Sequence, residues 1–280
     1  MILTVTDSGD PRIAPFVALR EKDLVGRQSR CIGEGEVVLR LLLSRPEHRI
    51  LALLLSRATA ARLESVLAAL DPAVPVHVAD QAVMDAIVGF HIHRGILALV
   101  EPRAAPAADA LLARLPARAV VAGLVGITNH DNVGGIFRNA AAFGIDAVLL
   151  DERCCDPLYR KAIRVSVGAS LIVPYARVAS GTHMMQRLAD HGFEVVCLSP
   201  SGGVPLHRLE RPARVGALFG TEGPGLPPDL LARSRSVAIP MAPGFDSLNV
   251  ATTSGIVLHH LALAAPDSSC SQSQAYTKSR

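Results

Sequence analysis

Residues 119–151 read AVVAGLVGITNHDNVGGIFRNAAAFGIDAVLLD. Residues 119–127 are an apolar run, TNHDNVGG is a polar, glycine-bearing loop, 136–143 carry a helical apolar pattern, and 147–151 are a second apolar run. The order is strand, loop, helix, strand. Neither run alternates cleanly, as expected of parallel strands covered on both faces. Further runs of this kind stand at 171–174, 194–199, 215–220 and 236–241, and 249–263 read as a closing helix. The downstream half is therefore expected to be an α/β domain spanning 117–265.

Upstream, the pattern is shorter and lighter. A helix is expected from near Gly33, with Val37, Val38, Leu41 and Leu42 on its apolar side. A strand follows over 50–55, then a helix capped by Thr59, a strand over 75–78, a helix over 81–88 and a strand over 95–100. Strands alternating with helices predict a small α/β domain in residues 1–100. EPRAAPAADALLARLP, residues 101–116, holds a short helix between proline breaks and reads as an interdomain linker. Residues 266–280 are polar and poor in apolar groups, and are expected to form a disordered tail.

Composition narrows the function classes. Of 280 residues, 50% are hydrophobic and 19% charged, which suits a packed core. There is no Trp, with 7 Phe and 3 Tyr, so aromatic base-stacking platforms are not expected. The net charge of +3 permits nucleic-acid binding without demanding it. Residues 1–100 balance 11 basic against 11 acidic side chains, so the excess lies downstream. Five scattered cysteines without CxxC spacing read as reduced cytosolic thiols. The first ten residues lack a signal-peptide pattern and no apolar run is long enough to span a bilayer, so a cytoplasmic protein is expected.

Three glycine-rich loops carry the chemistry. They are Asn129–Asn139 (NHDNVGGIFRN), Phe219–Leu226 (FGTEGPGL) and Ile239–Val250 (IPMAPGFDSLNV). Each follows a strand, where ligands of parallel sheets sit, and glycine there permits close backbone approach. GxGxxG is absent, so a dinucleotide-dependent oxidoreductase is not supported. No phosphate-binding GxxxxGK[ST] exists, and no His/Cys set suggests a metal.

Taken together, Asn132-x-Gly134-x-x-x-Arg138, Gly220-x-Glu222-Gly223-x-Gly225-Leu226 and Ile239-Pro240 with Ser247-Leu248-Asn249-Val250 resemble the signature motifs of TrmH-type methyltransferases of the SPOUT superfamily. Asp10-Pro11-Arg12, Gly33-Glu34-Gly35 and His93-Arg94-Gly95 resemble, less specifically, the small RNA-binding domain often found ahead of that fold, although Cys31-Ile32 stands where many relatives have an aromatic. The resemblance implies a deep trefoil knot, S-adenosylmethionine as methyl donor without a metal, 2′-O-methylation of a ribose in tRNA or rRNA, and a homodimer. It implies Asn132, Arg138, Glu222, Ser247 and Asn249 as catalytic residues, and Leu198, Gly220, Ile239 and Leu248 as cofactor-binding residues. Arg30 and Arg94 are candidates for RNA contacts in the first domain. Arg160, Lys161 and Arg164 read as a phosphate patch in the second, with Arg160 and Arg164 on one face if helical. A catalytically silent RNA-binding protein that keeps the fold is the alternative, against which the intact Asn132, Arg138, Ser247 and Asn249 weigh.

Overall fold

A computed structural model describes residues 2–17, 25, 26, 28–88 and 95–263. The first half folds around five strands, β1 (Ile2–Val5), β2 (Cys31–Glu34), β3 (Arg49–Ser56), β4 (Val76–Ala79) and β5 (Ile96–Glu101), in the order β1-β4-β3-β5-β2. β1, β4 and β3 are parallel, and β5 is antiparallel to both β3 and β2. Helices α1 (Glu36–Leu43), α2 (Arg57–Arg62), α3 (Glu64–Leu67) and α4 (Gln81–Val88) connect them. Two local expectations need correction. The chain is extended through 31–34, and the helix starts after Gly35, whose φ of 97° suits glycine. Ser56 rather than Thr59 caps α2: its hydroxyl accepts the Thr59 amide, while Thr59 itself is buried inside the helix.

The second half contributes seven strands. They are β6 (Ala119–Leu124), β7 (Ala147–Asp151), β8 (Tyr175–Val178), β9 (Glu194–Leu198), β10 (Val204–Pro205), β11 (Arg214–Phe219) and β12 (Arg235–Ala238). Their order is β10-β12-β9-β11-β6-β7-β8, and every pairing is parallel. Helices α5 (Ala108–Leu112), α6 (His130–Ala142), α7 (Arg160–Val165), α8 (Ala169–Ile172), α9 (Gly181–Asp190), α10 (Pro228–Ala232) and α11 (Val250–Leu263) surround this sheet. Val120, Ala122 and Leu124 of β6 pack with Phe137 of α6 and Leu258 of α11 on one face. Ala119 and Val121 pack with Leu112, Met184 and Leu188 on the other. Both faces are covered, which is why the strands do not alternate.

Three expectations for this half are revised. Residues 171–174 are not a strand: 169–172 are helical and the strand begins at Tyr175. A short apolar run serves either element, and here Leu171 is buried against the first sheet's core. The stretch read as a linker contains α5, whose Leu111 and Leu112 are buried in the second core. Burying each leucine contributes about 1.5–3 kcal/mol, so α5 is part of that core. The loop TNHDNVGG is helical from His130, because the Asn129 side chain accepts the Asp131 amide and caps α6 there.

The halves meet through a shared apolar layer. Ile163 of α7 and Leu171 of α8 pack with Cys31, Val38 and Leu39 of the first half. His48, buried beside them, lies with Nε2 2.7 Å from the Leu171 carbonyl, and its Nδ1 accepts the Arg103 amide at 3.2 Å. The tail at 266–280 lies outside the described residues.

Candidate functional site

Because β9, β11, β12 and β6 are parallel and adjacent, the loops leaving their carboxyl ends share one edge of the sheet. Those loops are the glycine-rich stretches and the Leu198-Ser199-Pro200 turn. Three of them, 198–200, 219–226 and the stretch from 239, line a cleft of about 710 Å³, including its open mouth. Its apolar lining includes Leu198, Phe219, Ile239 and Leu248, and its polar lining includes Thr221, Glu222, Ser247 and Thr253. All four residues expected to bind a cofactor, Leu198, Gly220, Ile239 and Leu248, line this cleft.

Glycine shapes the cleft wall. A Cβ on Gly220 would lie 2.6 Å from the Gly225 carbonyl oxygen and closer still to the Leu226 amide, so the 219–226 loop folds tightly back on itself. The Thr221 hydroxyl donates to that same carbonyl at 3.2 Å. Gly223 and Gly225 have φ of 83° and 70°, a region other residues seldom adopt.

Where Glu222 lines the cleft, three side chains, one from the first turn of α6 and two from loops, clasp one another. The Asn132 amide donates to Glu222 Oε1 at 2.6 Å. Asn249 Nδ2 donates to Asn132 Oδ1 at 2.9 Å and to Glu222 Oε1 at 3.1 Å. Asn249 Oδ1 accepts the Ala251 and Thr252 amides at 2.9 and 3.2 Å, capping α11. Asn132 is 4% exposed, so its polar atoms depend on this clasp. Helices α6 and α11 are fixed alongside: Asn139 Nδ2 donates to the Ala251 carbonyl at 2.8 Å and to Ser254 Oγ at 2.9 Å. A Cβ on Gly135 would meet Ala251 Cβ at 2.7 Å, which accounts for a glycine within α6.

The other expected residues stand apart from the clasp. Ser247 lines the cleft but is exposed, and its hydroxyl donates to Asp246 at 3.2 Å. Arg138 is exposed on α6, outside the cleft lining, and makes no ion pair among the described residues. Arg30 is half-buried, and Arg94 falls outside the described residues. The residues expected to form a phosphate patch are paired within the chain. Arg160 is 17% exposed with its Nε 3.3 Å from Glu34 Oε2, Arg164 lies 3.7 Å from the same oxygen, and Lys161 pairs with Asp131 at 2.7 Å. Since α7 packs on β2, its two arginines approach a buried carboxylate, Arg160 mostly covered and Arg164 36% exposed.

Residues not singled out from the sequence also build the site. Asp151, 2% exposed at the end of β7, accepts the Gly126 amide at 2.9 Å and the Cys154 amide at 3.0 Å, holding the loop that leads to α6. An acidic residue ending an apolar strand was its available signal. Thr221, Met241 and Thr253 of the cleft carry no such mark. Among the described residues, no three His, Cys, Asp or Glu side chains gather to hold a metal, and no helix is long and apolar enough to cross a membrane.

The architecture is that of an α/β fold shared with RNA methyltransferases. An AdoMet-bound rRNA methyltransferase from Sinorhizobium meliloti superposes with TM-score 0.79 at 21% identity, covering 95% of this chain and 99% of its own. A structure described as an RNA 2′-O ribose methyltransferase gives TM-score 0.76 at 22% identity, over 93% of this chain and 98% of its own. The SpoU rRNA methylase family model matches residues 119–259. A Mycobacterium bovis protein named as an uncharacterized tRNA/rRNA methyltransferase is 37% identical over 265 residues, 91% of this chain and 90% of the relative. The chain belongs to the SpoU rRNA methylase family.

Proposed function

We propose that this chain transfers a methyl group from S-adenosylmethionine to a ribose 2′-hydroxyl of tRNA or rRNA, as a cytoplasmic homodimer. The observation that carries the reading is the clasp of Asn132, Glu222 and Asn249 at the mouth of a cleft lined by Leu198, Gly220, Ile239 and Leu248. The lining suits the donor: apolar side chains for an adenine ring, and hydroxyl and carboxylate groups for its ribose and amino-acid portion. When bound, the sulfonium supplies an already activated methyl group, so the protein's task is alignment.

A guanidinium group is a poor base at neutral pH, so Arg138 is cast as a clamp. Its planar fork suits a phosphate beside the target ribose, and its charge favours a developing alkoxide. Its place on the surface of α6, outside the lining of the cleft of the same chain, supports a site completed across two copies. Exposed apolar groups on the same half, Phe245, Leu248, Ile256 and Leu263, support a dimer face. β12 enters between β9 and β10 rather than adding at an edge, which supports a knotted path around the cleft.

The test is transfer of labelled methyl from S-adenosylmethionine to bulk tRNA and rRNA, with the product site read as a linkage resistant to alkaline cleavage. Arg138→Ala should abolish transfer while keeping cofactor binding, and Arg138→Lys should remain severely impaired. No transfer by the unaltered chain, or label on a base, refutes the reading.

A further inference from the structure

Gly33-Glu34-Gly35 belongs to the stretch resembling an RNA-binding domain, yet Glu34 is 4% exposed and turned toward the second half. Its Oε2 lies 3.3 Å from Arg160 Nε and 3.7 Å from Arg164 Nη1, one turn apart on α7, and accepts no hydrogen bond among the described residues, so its hold on the two arginines is one of charge. Helix α7 and the residue before it hold the start of α6 in three independent ways. Lys161 pairs with Asp131 at 2.7 Å. The His130 ring stacks on Tyr159 with centroids 4.7 Å apart. The backbones approach so closely that a Cβ on Gly134 would meet the Ala162 carbonyl oxygen at 2.8 Å. Asn132 sits inside that held turn, and its amide reaches Glu222 at 2.6 Å.

We propose that Glu34 is a positioning residue for the candidate active site. By holding Arg160 and Arg164 it fixes α7, and α7 fixes the first turn of α6, where Asn132 joins the clasp. The first half of the chain then takes part in aligning the site. The physical reason is that two guanidinium groups packed against a sheet repel each other once their shared carboxylate loses its charge. Close-packed helices pass such a displacement on instead of absorbing it. The kinetic part of this inference rests on the methyl-transfer reading; the structural part does not.

The experiment compares full-length Glu34→Gln with the unaltered chain. Amide hydrogen exchange over 132–136 should quicken by roughly 2- to 30-fold, the range expected for coupling through a packed path. Exchange in α9, on the far face of the sheet, should not change. With RNA saturating, kcat should fall by a similar factor, while KM for RNA and the Kd for S-adenosylmethionine stay within about twofold of the unaltered values. Glu34→Asp, which keeps the charge, should recover part of both effects. Unchanged exchange at 132–136 overturns the proposal. So does a rise in KM alone, which would make Glu34 an RNA contact, or faster exchange throughout with kcat per folded molecule intact, which would make it a stabilising contact only. Should Glu34→Gln not fold, Arg164→Ala removes the more exposed arm and should give a smaller change at the same amides; no change there also overturns the proposal. If the unaltered chain methylates no RNA, the functional reading fails while the exchange result still decides this one.

Discussion

Gly220→Ala tests whether the cleft wall has room to yield. The added methyl would stand 2.6 Å from the Gly225 carbonyl oxygen, where ordinary contact begins at 3.4 Å. The 219–226 loop must therefore open by at least about 0.8 Å, and the obstructing atoms are backbone that cannot rotate away. Overpacking of this kind costs about 1–3 kcal/mol. For a chain of this size that lowers Tm by about 2–12 °C. The same opening separates Thr221 from the Gly225 carbonyl and shifts Glu222 from Asn132, so the cleft loses its shape at the mouth. Calorimetric titration with S-adenosylmethionine should show Kd weakened at least about tenfold, equivalent to about 1.4 kcal/mol. Gly203→Ala is the control, since a Cβ there meets nothing within 4 Å. If Gly220→Ala binds with unaltered Kd and melts with the control, the loop is not the cleft's rigid wall.

Other expectations follow from the clasp and from buried ionisable groups. Asn249→Ala should cost about 0.5–2 kcal/mol through the lost α11 cap, and Asn249→Ser should restore the melting temperature without restoring methyl transfer, because serine cannot bridge Asn132 and Glu222. Equal recovery of both would show that capping is the whole role. Burial pushes the Cys154 thiol up to about 12 and the Cys155 thiol up to about 11, so both should resist iodoacetamide at pH 8 until denaturant is added, as followed by mass spectrometry. Rapid labelling of native Cys154 would contradict this. His77 is 3% exposed, and burial, with the nearby Arg12, lowers its pKa from 6.5 while Asp10 opposes the shift. The unfolded chain then binds more protons below about pH 6.5, so stability should fall as pH drops through that region. His77→Leu should flatten the dependence, measured by urea unfolding between pH 7.5 and 5; an unchanged slope would remove His77 as the cause.

What could be read from the sequence was what depends on local residue types. Asn132, Glu222 and Asn249 lie in stretches of sequence whose glycines declare tight backbone, and the parallel strands declare themselves by lacking alternation. The limits of α6 were hidden because Gly134-Gly135 reads as a loop. Those glycines are there for contact with Ala162 and Ala251, residues distant in sequence. Leu171 misled in the same way, since a Leu-Ile-Val run is apolar whether it enters a strand or the end of a short helix. That the arginines of α7 approach Glu34 could not be read, because nothing near them in the chain names it as their partner. The glycines of α6 and the arginines of α7 concern contacts between segments that only the folded chain brings together, whereas the caps at Ser56 and Asn129 are local.

The position of β12 bears on how the molecule is made. A chain synthesised from its amino end can complete the five-stranded sheet while residues beyond 235 are still missing. Among the described residues β10 pairs only with β12, so until that strand arrives the short segment lacks this pairing and β9 shows an open edge. The walls of the cleft, drawn from residues 198–253, are finished last. Parallel pairings between distant segments form slowly, and unpaired edges invite association with other chains. A nascent chain halted before residue 235 should therefore have a settled first sheet, no ligand site, and a sticky margin where its final strand belongs.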